Sequence, residues 1–200
     1  MASAAEARIR EKAERLLREL FPDARIVHEF DLGGVRLDLA AITPDRLALV
    51  EIKSENDTLS RLARQVEFAH RLGGPVFVCF APKWREAIRE AGLWNTQRLE
   101  ETDTGFDGLM PYWLAHPDRY DSRGLMGLLL KPELFALAKP FGAKSRMDVP
   151  SLHHLVHENM TGREIRRSTF AALRARRFGW TCDDPLAAND SAALPKETAA

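Results

Sequence analysis

The sequence predicts an α/β fold. Its core, over residues 1–99, is read in the order helix, three-strand antiparallel meander, helix, strand, helix, and a mostly helical C-terminal lobe follows over 100–182. Three observations carry this. Apolar residues recur at helical spacing before Pro22. Two turn sequences, Gly33-Gly34 and Thr43-Pro44-Asp45-Arg46, divide residues 25–53 into three apolar-rich runs. A continuous apolar run, Pro75–Ala81, lies between Gly73-Gly74 and Pro82.

Ser3 and Glu6 have capping-box spacing, and Ile9, Ala13, Leu16, Leu17 and Leu20 then form one helical stripe that Pro22 ends. Strands are expected near 25–31, 35–42 and 47–53. Asn56-Asp57 reads as the start of the next helix, whose stripe includes Leu59, Leu62, Ala63, Val66, Phe68 and Ala69. Pro75–Ala81 reads as a buried strand, and Pro82 opens a helix carrying Trp84, Ile88 and Leu93. Residues 100–124 read as irregular surface structure containing Pro111-Tyr112-Trp113. Leu125–Ala138 reads as helical, divided at Pro132, and Pro150–His157 as a short helix. Thr161 and Glu164 form a second capping box that opens a basic helix to about Arg177. The Ala-, Asp- and Pro-rich stretch 183–200 reads as a disordered tail.

A chain of 200 residues can bury one full core. Its 45% hydrophobic and 29% charged content fits a soluble globular protein, and its longest apolar runs are far too short to span a bilayer. Cys79 and Cys182 do not form a disulfide framework, and the first ten residues lack an apolar secretion core. A cytoplasmic protein is therefore expected. Lys plus Arg and Asp plus Glu number 29 each, so no global charge announces a polyanionic partner. Residues 139–177, with nine Lys/Arg against three acids, are the best candidate for a local basic face.

The meander carries the chemistry. A symmetric turn at Gly33-Gly34 pairs Leu32 with Val35, Phe30 with Leu37, and Glu29 with Asp38. A symmetric turn about Pro44-Asp45 pairs Ile42 with Leu47, Ala40 with Leu49, and Asp38 with Glu51. These registers line up Glu29, Asp38 and Glu51 across three strands, with Lys53 on the same face. Asp31 and Arg36 face each other near the hairpin end. Carboxylates gathered on a half-buried sheet repel one another unless a cation sits between them, so the row is costly as structure and useful as chemistry. Strict alternation also puts Val27, Ala40, Leu47 and Leu49 on that face, which points to a cleft.

Residues 3–90, with Asp38 on one strand and Glu51-Ile52-Lys53 ending the next, resemble the PD-(D/E)XK nuclease superfamily, which has a restriction-endonuclease-like fold. Leu37 stands where the motif's Pro would be. The resemblance implies a metal-dependent deoxyribonuclease with Mg²⁺ or Mn²⁺ held by Asp38, Glu51 and the Ile52 carbonyl, and with Lys53 orienting or deprotonating the attacking water. Some members carry a further acid; Glu29 is favoured by register, and Glu6 is the other candidate. Gln65 stands on the following helix, where some exonuclease-like members have a Gln that contacts substrate phosphate or the lysine. The partner implied is DNA, and a double-strand cut by many such enzymes takes two active sites, which leaves a homodimer open.

Two further constellations stand outside that resemblance. Arg163, Arg166, Arg167 and Arg174 lie on a basic helix that could contact DNA phosphates, in a unit resembling a helix-turn-helix. His153 and His157 share the spacing of a zinc pair but lack evident further ligands. The alternatives to an endonuclease of DNA repair, phage biology or defence are a non-catalytic nucleic-acid-binding protein that keeps the fold, and a regulator that reads DNA through its C-terminal helices.

Overall fold

Ser3 caps the first helix as its spacing predicts: its hydroxyl accepts the Glu6 N–H at 3.1 Å, and α1 runs Ala4–Leu20. The computed structural model describes residues 3–110, 119–178 and 182–186. After α1 come β1 (Arg25–Asp31), β2 (Arg36–Ile42), β3 (Leu47–Lys53), α2 (Leu62–His70), β4 (Val76–Phe80), α3 (Arg85–Glu90), β5 (Thr96–Glu101) and β6 (Phe106–Asp107). The C-terminal part holds α4 (Ser122–Gly127), α5 (Lys131–Ala138), α6 (Val149–Asn159) and α7 (Gly162–Ala175). Pro132 does divide the apolar stretch 125–138, and both hydrogen bonds of the Thr161–Glu164 capping box are present. The Tyr112-Trp113 cluster and the tail beyond Leu186 lie outside the described residues.

The six strands form one mixed sheet in sequence order. β1, β2 and β3 are antiparallel, β4 and β5 continue parallel to β3, and β6 returns antiparallel. The turns behave as read. Leu32 N–H donates to Val35 O at 2.9 Å across Gly33-Gly34, where φ is +81° and +150°. Thr43 Oγ1 accepts the N–H groups of Asp45 and Arg46 and closes the second turn. Ile42 pairs with Leu47, Ala40 with Leu49, and Phe30 with Leu37.

β3 is buried along its whole length because both faces of the sheet are covered. On one face, Ile9, Ala13 and Leu17 of α1 pack on Ile26, Leu39, Ala48, Val50 and Phe77. On the other, α2, α4 and α7 cover Val27, Ala40, Leu49 and Val76, with Leu125, Phe170 and Leu173 in the same cluster. Arg25 fixes α7 and the chain beyond it to the start of β1. It is 1% exposed and donates to the carbonyls of Leu173 (3.1 Å), Arg174 (2.9 Å), Arg176 and Asp183.

Two readings of the core need correction. The helix expected from Asn56-Asp57 begins at Leu62, because Asp57 Oδ2 turns back to accept the Ser54 N–H (2.8 Å) and hydroxyl (2.6 Å) and closes a local turn. The sheet also runs past residue 99, through β5 and β6. Thr96–Glu101 escaped notice because Leu99 is its one large apolar residue. Its inward polar groups are satisfied by distant partners: Gln97 accepts the Met110 N–H, and Glu101 accepts from Arg8 and Lys12.

Among the described residues no helix is long and apolar enough to cross a membrane.

Candidate active site

The expected registers run on either side of Glu29 and Asp38, but strand geometry breaks at both. Glu29 has φ +53°, a left-handed conformation that costs a non-glycine residue of order 1 kcal/mol. Side-chain alternation slips there: Val27 and Phe30 share one face, as do Leu37 and Ala40, whereas Leu39 joins the other. β2–β3 pairing reaches only Leu39 opposite Val50. Beyond it Asp38 Oδ2 accepts the Ile52 N–H at 2.6 Å, filling the gap where the two strands part. The straight three-acid row is thus corrected to a bent one, in which Asp38 is the joint.

On one side of Asp38 lies a buried polar group. Lys53 Nζ donates to Glu51 Oε1 at 2.6 Å and to Gln65 Oε1 at 3.3 Å, and the Gln65 amide donates in turn to Arg36 O at 3.4 Å. The Glu51 and Lys53 side chains are only 4% and 5% exposed. Glu51 Oε2 is buried with no hydrogen-bond partner. On the other side, the Arg10 guanidinium of α1 lies among Glu6 Oε1 (2.6 Å), Glu29 Oε1 (3.3 Å) and Asp38 Oδ1 (3.6 Å), and also donates to Asp38 O at 3.1 Å. Glu29 is held a second time by Arg36, at 2.9 Å. Asp31 and Arg36 do pair across β1 and β2 as expected, but the Arg36 guanidinium bonds Glu29, and Asp31 accepts the Gly33 N–H.

Both groups open onto one cleft of about 670 Å³, whose lining includes Glu6, Glu29, Asp38, Glu51, Ile52, Lys53 and Gln65. Three arginines, Arg36, Arg61 and Arg64, also line it, and all three are exposed. The structure brings together Asp38, Glu51, Lys53, Gln65 and both candidate third acids. Sequence reasoning missed Arg10. The available signal was its position four residues after Glu6 on α1, the spacing of a helical ion pair.

Burial drives the electrostatics. It pushes the Glu51 carboxyl up to about 7, helped by the nearby Asp38 and opposed by Lys53. Asp38 is pushed up to about 6 by burial, against the Ile52 N–H and Arg10. A carboxyl raised on folding contributes stability that is complete below its unfolded value and is lost as pH rises through the folded one. We expect metal-free Glu51→Gln to exceed the native protein in stability by roughly 1–3 kcal/mol at pH 8. The gain should fade toward pH 4, where the native carboxyl is already neutral. Urea unfolding in EDTA at the two pH values measures this; an unchanged or lower stability at pH 8 contradicts it.

The donor set suits a hard divalent cation. Asp38 and Glu51 offer oxygens on one cleft wall, one of them a buried carboxylate oxygen otherwise left without a partner. Glu6, Glu29 and Asp38 each place an oxygen within 4.8 Å of the other two.

The arginines expected to meet DNA stand elsewhere. Arg167 pairs with Asp45 at 3.1 Å, in the turn about 20 Å along β3 from Glu51 at strand rise. Arg166 lies over the Tyr120 ring. Arg174 is 6% exposed and donates to Asp23 O, so its burial takes it away from phosphates. Of the four, Arg163 is the exposed one. Among the described residues His153 and His157 gather no further metal ligands, and His154 faces Glu158 at 3.2 Å.

Fold and site together define an α/β protein whose mixed sheet carries a buried carboxylate–lysine group beside a half-buried carboxylate–arginine group. The chain belongs to the family of bacteriophage P4 protein cII, which matches residues 4–188. No curated protein matches the chain in sequence. Among solved structures, a protein of unknown function from Silicibacter pomeroyi aligns with 74% of this chain and 100% of its own, at 16% identity and a TM-score of 0.45. That likeness is too remote to bear on function.

Proposed function

We propose that this protein is a metal-dependent nuclease of PD-(D/E)XK type that hydrolyses DNA phosphodiester bonds. The observation that carries the reading is the buried, unpartnered Glu51 oxygen beside Lys53 and Asp38 on the wall of an open cleft. A core does not gain by burying an acid in this way, and a hydrolytic centre does. The element order supports the same reading: the antiparallel meander, α2, and β4 parallel to β3 follow the order that the motif resemblance implies.

In this reading Asp38 and Glu51, with the Ile52 carbonyl, would hold Mg²⁺ or Mn²⁺, which would supply Lewis-acid charge at the phosphate and a more acidic water. Lys53 orients the attacking water and donates hydrogen bonds to the negative charge that develops on the phosphoryl oxygens. Gln65 keeps the Lys53 ammonium aimed into the cleft. The water oxygen bonds to phosphorus, the ester P–O bond breaks, and a phosphomonoester and a hydroxyl end result. Arg36, Arg61 and Arg64, which line the cleft, would grip neighbouring phosphates in place of the α7 arginines.

One observation favours a second reading. Arg10 already neutralises part of the acid cluster, as it would in a non-catalytic nucleic-acid-binding protein that keeps the fold. Incubation with plasmid, linear duplex and single-stranded DNA in Mg²⁺, Mn²⁺ or EDTA separates the two. We expect cleavage that needs the divalent ion and is lost in Asp38→Asn. Binding of DNA without cleavage of any substrate would establish the second reading. Arg61→Ala and Arg64→Ala together should raise KM about tenfold or more and flatten its salt dependence, with kcat little changed. Unaltered salt dependence would remove these arginines from the substrate path.

A further inference from the structure

We propose that Arg10 is a resident counter-ion that competes with the divalent metal for Asp38, so that metal loading requires its guanidinium to withdraw. The inference rests on the metal-site reading above and adds the regulation of that site. Arg10 is not a surface cation that happens to fall near an acid. Its side chain is 12% exposed, and it meets Glu6, Glu29 and Asp38 together. It occupies the cluster in which three carboxylate oxygens lie within 4.8 Å of one another. A second observation points to a ligand in the same cleft. Glu51, with its side chain 4% exposed, leaves one oxygen without a partner on the wall of the same cleft.

The distances say which contact yields. The contact to Glu6 is shortest, at 2.6 Å, and joins residues one turn apart on α1. The contact to the Asp38 carboxylate is longest, at 3.6 Å, while the hydrogen bond to the Asp38 carbonyl, at 3.1 Å, comes from the other terminal nitrogen, Nη1. A small shift toward Glu6 and Glu29 therefore frees the Asp38 carboxylate while Arg10 keeps two partners. The left-handed backbone at Glu29 and its second hold by Arg36 keep that receiving acid in position. Two cations at one carboxylate repel, so whichever binds first weakens the other.

Direct Mn²⁺ binding to the full chain, read from the electron paramagnetic resonance of free Mn²⁺, tests this without any activity. Arg10→Met should tighten Mn²⁺ binding by about 10-fold or more. Arg10→Lys, which keeps the charge, should stay within about threefold of the native protein. Should Met cost the fold, Arg10→Gln keeps a donor for Glu6 and the Asp38 carbonyl and gives the same comparison. Equal or weaker Mn²⁺ binding in the neutral variant, with binding intact in the native protein, overturns the competition. It would make Arg10 an organiser of the acids instead. Absence of Mn²⁺ binding from native protein and variants alike overturns the metal site itself, and this inference with it.

Discussion

Lys53→Met is expected, on the proposed nuclease reading, to lower phosphodiester cleavage by about 10²–10³-fold, the usual consequence of removing one charged donor from a preorganised site. The fold should survive. Met keeps most of the Lys53 stem, and Glu51, deprived of its cation, can take up a proton, because burial already raises its carboxyl to about 7. The loss should therefore appear in kcat with the unfolding midpoint little changed. Lys53 sits 3.3 Å from Gln65 and 2.6 Å from Glu51, and no other ammonium group lines the cleft among the described residues, so another lysine is not placed to substitute. Single-turnover cleavage in Mg²⁺, set beside a thermal melt, is the measurement. Cleavage at the native rate would remove Lys53 from the chemistry and would leave the Glu51–Lys53 pair as an expensive structural device.

Arg25→Met is expected to cost about 3–5 kcal/mol, the range for breaking a buried charged network, with a fall of roughly 10 °C in Tm. Arg25 is fully buried, and its guanidinium serves the carbonyls of Leu173, Arg174, Arg176 and Asp183. Its plane also lies 5.1 Å from the centre of the Phe178 ring. Removing it leaves several carbonyl groups without donors where β1 meets the end of α7. Cys182 provides a local readout, since its Sγ lies 3.7 Å from Arg25 Nη2 and its backbone bridges Val27. Thiol labelling of Cys182 should quicken in the variant well below its Tm, while the buried Cys79 stays protected. A Tm within about 2 °C of the native value would show that the carbonyls find water or other donors.

Lys53, Arg25 and Arg10 show how far the sequence could be read. Lys53 was legible because its chemistry is local: Glu51 and Lys53 lie two residues apart on one strand, and period two places them on one face whatever surrounds them. Asp38 joined them through turn residues whose backbone preferences set the register. Arg25 was invisible. It opens a strand as an ordinary polar residue, and its partners are carbonyls about 150 positions away, which leave no mark in residue type. Arg10 was missed for a related reason: its partners come from three different elements, and helical spacing accounts for Glu6 alone. β5 was missed because its buried polar groups are satisfied by tertiary partners, so its pattern looks like that of a surface loop.

The expectation for α7 shows the opposite limit. Its basic composition suggested a phosphate-binding face, yet Arg174 is buried and Arg166 and Arg167 are engaged by Tyr120 and Asp45. Composition counts charges without saying where they point. The exposed arginines of the cleft came from Arg36 on the meander and from Arg61 and Arg64 around the start of α2, segments whose charge is not unusual.

The sequence by itself determined the α/β order of the core, the strand pairings that the two turns set on either side of Glu29 and Asp38, and the shared face of Glu51 and Lys53, because turn geometry and strand period act within a few residues. Only the tertiary structure decided the bend of the acid row at Glu29 and Asp38, the place of Arg10 among the carboxylates, and the removal of the α7 arginines from the cleft. Those outcomes depend on which surfaces pack together, and charge and burial then follow from neighbours that the chain supplies from far away.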